Sequence, residues 1–148
     1  QLFKELNNMS RVQLAINVEN LDEAIDFYSR LFDAVPAKVK SGYANFAISD
    51  PPLKLVLFEN QGKGGSINHL GVEVQTSEEV LAADDRLIRA DMETTGIDET
   101  ECCYAEKTEV WVDGPDGVRW EWYVKHADSD QFENVVIDPS QSKRKSCA

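Results

Sequence analysis

The chain has 148 residues, with 27 acidic and 15 basic side chains for a net charge of −12, and 42% of its residues are hydrophobic. That is enough for one globular domain with a core, and the acidic balance argues against nucleic acid, whose phosphates need a basic face. No apolar run approaches the ~20 residues of a membrane span, no signal-peptide pattern is present, and three cysteines (Cys102, Cys103, Cys147) are too few and too odd for a disulfide framework, which points to a reducing, cytoplasmic setting.

Met9 reads as a natural start and residues 1–8 as an expression remnant. Residues 12–18 alternate as a half-buried strand. "LDEAIDFYSRLF" (21–32) sets Ala24, Ile25, Tyr28, Leu31 and Phe32 on one helix face, with Asn20 as N-cap and Pro36 beyond the end. Strands are predicted at 36–40, 43–49 and 53–59, then at 68–74. A helix over 77–90 follows, capped by Thr76 or Ser77, and further strands lie near 93–97, 104–112 and 118–124. The polar stretch "GIDETECCY" (96–104) reads as a mobile loop, and 127–148 as a polar tail in which only "VVI" could dock.

The middle of the chain is duplicated. "QLAINV" (13–18) matches "HLGVEV" (69–74) at a shift of 56 residues, which also carries Glu23 onto Glu79 and Arg30-Leu31 onto Arg86-Leu87. "LKLVLF" (53–58) matches "VRWEWY" (118–123) at a shift of 65, each copy preceded by a turn, "SDPP" or "GPDG". The reading is α+β: two βαβββ modules, about 9–60 and 66–126, within a single domain over 9–126. A pseudo-twofold arrangement of the modules would form an open metal-binding cup.

Equivalent positions supply the candidate ligands. Gln13 falls on His69 and Val56 on Glu121. Imidazole, carboxylate and amide oxygen make a mixed N/O set suited to a first-row divalent metal, and three protein ligands leave open places for catalysis. Taken alone, His69 is more often an ordinary strand histidine. Glu121 lies between Trp120 and Trp122, so an alternating strand sends it to the face opposite both indoles.

Cys102 and Cys103 are neighbours, about 3.8 Å apart at Cα, which is too close for a relaxed disulfide. Two free thiols suit a soft centre such as As(III), Cd(II) or Cu(I), provided the backbone leaves strand geometry so that both can reach one atom. The competing reading is two incidental cysteines.

The stretches "RVQLAINVENLDEAIDFYSRLF", "GYANFAISDPPLKLVLFEN", "NHLGVEV", "CCYA" and "WV-GPDG--WE-Y" resemble the vicinal oxygen chelate superfamily and, within it, the organoarsenical C–As lyases and related cadmium-induced proteins. The resemblance covers roughly Met9 to Tyr123. It implies the vicinal oxygen chelate fold and an Fe(II)- and O₂-dependent cleavage of the carbon–arsenic bond of trivalent methyl or aromatic arsenicals. It further implies iron on Gln13, His69 and Glu121, and arsenic on Cys102 and Cys103. It allows a monomer or a homodimer. Val56 stands where glyoxalase I has a fourth ligand, and Gln13 where the superfamily often has histidine. Glu101 stands where a small or hydroxyl residue is expected. Two alternatives are a thiol protein that binds arsenite or cadmium without turnover, and another metal enzyme of the same fold, a dioxygenase or thiol transferase.

Overall fold

The computed structural model describes residues 10–102, 104–128 and 135–136. The expected remnant 1–8, Cys103, Cys147 and most of the expected tail lie outside them. The chain falls into two compact units, Arg11–Leu70 and a second that begins at Gly71.

The first unit runs β1 (Arg11–Val18), α1 (Leu21–Leu31), β2 (Lys38–Lys40), β3 (Tyr43–Ile48) and β4 (Leu53–Glu59), the βαβββ order of the duplication. Its strands lie in the order β2-β3-β4-β1, with β1 parallel to β4 and β4 antiparallel to β3. Helix α1 starts where the sequence places it: Asn20 Oδ1 accepts from the Glu23 amide at 2.9 Å. Ala24, Ile25, Tyr28 and Phe32 pack on a core of Ala44, Phe46, Ile48, Leu55 and Leu57. Leu31, expected on that face, is 57% exposed. Leu21, one turn before Ile25, fills the core in its place.

The opposite face of this sheet is also buried, and it carries polar side chains among apolar ones such as Val56 and Phe58. Gln13, Asn17, Asn45, Lys54 and His69 are all buried. The register sets Gln13 beside Lys54, Ala15 beside Val56, and Val56 beside Asn45. Val56 therefore shares Gln13's face.

Strand β5 (Ile67–Glu73) carries the chain into the second unit, which continues with α2 (Ser77–Arg89), β6 (Asp98–Cys102), β7 (Ala105–Asp113), β8 (Arg119–Asp128) and β9 (Val135–Val136). Thr76 and Glu79 form a reciprocal capping box at the start of α2. The "GPDG" turn is a single 3₁₀ turn, Pro115–Gly117, with Gly117 at φ +78°, a conformation that glycine adopts without strain. Val74, Val80, Val110 and Val124 form the core, with Val72, Ile97 and Trp122 packed against it.

Two expectations are corrected here. The strand predicted near 93–97 forms later, at Asp98–Cys102, inside the expected mobile loop, leaving only an isolated bridge between Thr94 and Val112. Strand β6 is paired on both edges, by β7 and by β9, which sets Thr100 opposite Val136 and Glu101 opposite Val135. Strand β8 also runs past its predicted end at 124, to Asp128, while Val135–Val136, within the "VVI" expected to dock, pairs with β6. The reason for β6 lies in its neighbours. Asp98 and Thr100 lie on a buried face that is itself polar, so their side chains have partners and a hydrophilic sequence can still be a strand.

Candidate metal centre

His69 and Gln13 meet in the first unit. Adjacent strands β1 and β5 set Gln13 Nε2 3.1 Å from His69 Nε2, both side chains buried. The other ring nitrogen faces Asn68 Oδ1 at 2.8 Å. An amide oxygen only accepts, so Nδ1 carries the proton and Nε2 holds a lone pair. That lone pair faces Gln13, whose amide nitrogen donates to it. Turning this carboxamide by 180° exchanges its nitrogen and oxygen and presents a second donor atom beside the ring.

Asn68 is itself held. Its amide donates to Asn17 Oδ1 at 3.1 Å, which also accepts from Asn60 at 2.6 Å, and Asn17 donates to Ser66 Oγ at 2.9 Å. The chain of amides ends at the Lys63 carbonyl, which accepts from Ser66 Oγ at 2.6 Å. Such support behind a ligating imidazole fixes its tautomer and aim. Phe58 packs 6.2 Å from the imidazole, centroid to centroid.

Glu121 belongs to the second unit, on β8, and is 1% exposed. As alternation requires, its side chain leaves the face of Trp122, which packs on the core with Arg86 over its ring. Lys107 Nζ lies 3.3 Å from Glu121 Oε2 and 3.9 Å from Glu109 Oε2. Thr100 Oγ1 donates to Glu109 Oε1 at 2.6 Å and Trp111 Nε1 to Glu109 Oε2 at 2.8 Å. Tyr123 donates to Glu73 Oε2 at 2.9 Å. Among the described residues of this unit, the buried charges are four carboxylates (Glu73, Asp98, Glu109, Glu121) and one lysine.

The donor chemistry fits a divalent cation. In the first unit an unprotonated imidazole nitrogen and an amide face one another, and Asn45 Oδ1 is buried with no hydrogen-bond partner among the described residues. In the second, buried negative charge exceeds buried positive charge. No three His, Cys, Asp or Glu side chains among the described residues are grouped to hold a metal. The expected set draws only two members from those types, because its third donor is the Gln13 amide.

Cys102 closes β6, opposite Ala105, and Tyr104 in the connection to β7 adopts φ +64°. The backbone of Cys102 thus belongs to a strand rather than to the expected loop, while Cys103 lies outside the described residues. Outside the pair, sequence reasoning missed Asn68, Asn17, Lys107 and Glu109. Asn17 carried a signal, since it alternates with Gln13 on β1; "AEKTEV" offered only polar residues on a strand.

A profile of the glyoxalase/bleomycin resistance protein/dioxygenase superfamily matches residues 10–122. The chain belongs to this superfamily. It is 60% identical over 124 residues to the cadmium-induced protein CadI of Mycobacterium tuberculosis, covering 84% of this chain and 82% of the relative. It is 52% identical over 123 residues to the trivalent organoarsenical cleaving enzyme of Thermomonospora curvata, covering 82% of each. The 2,3-dioxygenase LapB from Pseudomonas sp. KL28 shares the fold, with a TM-score of 0.60 at 23% identity over 80% of this chain and 41% of that one. The superfamily's two βαβββ modules, the vicinal oxygen chelate fold, are those described above. No helix among the described residues is long and apolar enough to cross a membrane.

Proposed function

We propose that this superfamily member cleaves the carbon–arsenic bond of trivalent organoarsenicals and releases arsenite, using iron(II) and dioxygen. The observation that carries the metal is the buried pair of Gln13 and His69, with the ring's tautomer set by Asn68. The substrate class rests on the likeness to the Thermomonospora curvata enzyme, together with the paired thiols Cys102 and Cys103.

Each residue has a definite task in this reading. Cys102 and Cys103 bind the arsenic: two thiols and an organoarsenous dihydroxide give a dithioarsenite and two waters. The organic substituent stays on arsenic and is turned toward the metal. His69 Nε2, the Gln13 amide oxygen and a Glu121 oxygen hold the iron, and Glu121 supplies the negative charge of the set. When bound, iron(II) supplies the one-electron chemistry that dioxygen needs to attack a closed-shell substrate. Val56 adds no donor, so the set stays at three and leaves coordination places open. Burial of Gln13, His69 and Glu121 restricts water at the reacting centre.

The test is reconstitution with Fe(II) under anaerobic conditions, then addition of trivalent phenylarsenical with and without air. Arsenite should appear only with both iron and air. Arsenical that stays intact in air on the iron-loaded protein overturns the reading. That result would favour thiol sequestration, the reading suggested by the cadmium-induced relative, which needs the cysteines but not Gln13 or His69.

A further inference from the structure

Lys107 is a buried cation between two buried carboxylates, with side-chain exposures of 6% for the lysine, 0% for Glu109 and 1% for Glu121. The two carboxylates differ in how they are held. Glu109 is tied at both oxygens, to Thr100 and to Trp111, and Asp98 stands opposite it in the β6–β7 register. It is a carboxylate fixed in place. Glu121 is the carboxylate to which Lys107 lies closest. The ammonium also lies 5.0 Å from the centroid of the Tyr123 ring, whose face favours a cation there.

We propose that Lys107 is an internal competitor for the metal carboxylate. In the metal-free protein its ammonium neutralises Glu121; when a divalent cation takes Glu121, Lys107 moves to the fixed seat at Glu109. The inference rests on the reading of Glu121 as a metal ligand. Two cations cannot share one buried carboxylate oxygen without strong repulsion, because the interior screens charge far less than water does. A carboxylate buried without a cation is equally unfavourable, which is why the metal-free protein needs a substitute. The lysine answers the second demand and Glu109 the first. Lys107 thus lowers metal affinity while keeping the metal-free protein folded.

A lysine that merely props the sheet predicts a different pattern, so the signs of several variants decide. The measurement is calorimetric titration of metal-free protein with Co(II), alongside urea denaturation of the metal-free state. Lys107→Met should bind Co(II) at least tenfold more tightly, while its metal-free form unfolds at lower urea. Lys107→Arg keeps the charge and grips Glu121 with a two-pronged fork, and should bind at least fivefold more weakly. Glu109→Gln removes the alternative seat and should also weaken binding at least fivefold. If Lys107→Met binds no more tightly than wild type while Glu121→Gln loses binding, the inference fails and the metal reading stands. If Glu121→Gln binds as wild type does, the metal reading itself fails. Should Lys107→Met not fold, Lys107→Arg decides, and affinity equal to or above wild type overturns the proposal.

Discussion

His69 is fit to be a ligand because of the residue before it. Asn68 accepts from Nδ1 and so leaves the lone pair on Nε2, where Gln13 stands. Asn68→Ala removes that acceptor, and the ring is then free to adopt the other tautomer. Co(II) affinity should fall by about 10–100-fold, the usual cost of losing such support. Stability should fall by only about 1 kcal/mol, the net worth of one hydrogen bond. Titration and urea denaturation check the two figures, and nitrogen NMR of the imidazole reports the tautomer. The duplication, which carries Gln13 onto His69 and Val56 onto Glu121, nominated these residues where no residue-by-residue reading could, and the nearness of Gln13 to His69 agrees with it. Asn68 and Lys107 were not legible. An asparagine on a strand and a lysine in "AEKTEV" have no periodic signature, and their roles depend on which neighbours the sheet register brings to them.

At the scale of elements, the helices and central strands follow from periodicity and caps, whereas β6 does not. Sequence reasoning assumes that the buried face of a strand is apolar. "DETEC" has no apolar face, yet Asp98 and Thr100 are both 0% exposed, because the face they join is lined with Lys107, Glu109 and Glu121. The consequence for the cysteines is concrete. Cys102 is held by its pairing with Ala105, so the backbone at the first thiol is set by the β6–β7 ladder. Cys102→Ser keeps that ladder. It should lower affinity for trivalent phenylarsenical at least 100-fold, since a hydroxyl is a hard, weakly acidic ligand. Fe(II) affinity should stay within twofold and stability within about 1 kcal/mol. Paired titrations of the variant with arsenical and with Fe(II) check this, and unchanged arsenical affinity would sink the role given to Cys102.

For the molecule as a whole, both units pack aliphatic side chains on the helix side of the sheet, and the other buried face mixes polar and charged side chains with Phe58, Trp111 and Tyr123. The polar groups of that second face are where the proposed cation would add stability. Metal present at a hundred times its dissociation constant should add about 2.7 kcal/mol. For a chain of this size that raises the melting temperature by about 5–10 °C. A thermal scan with Co(II), reversed by chelator, measures it; a melting temperature indifferent to both would contradict a folded-state metal site.

The division between the two faces also bears on how this chain can change over generations. On β4, Leu55 and Leu57 fill the helix-side core, while Lys54 and Val56 lie on the face that carries Gln13. Emptying the helix-side positions opens cavities that cost about 2–5 kcal/mol each, a large part of the stability of any domain. On the proposed function, the alternate positions near Val56 and Asn45 shape what the site admits, and they contribute less to holding the helix on the sheet. New substrate preferences can therefore accumulate at every second residue of one strand while its neighbours stay fixed, and selection acting on β4 reads two interleaved messages, one for chemistry and one for folding.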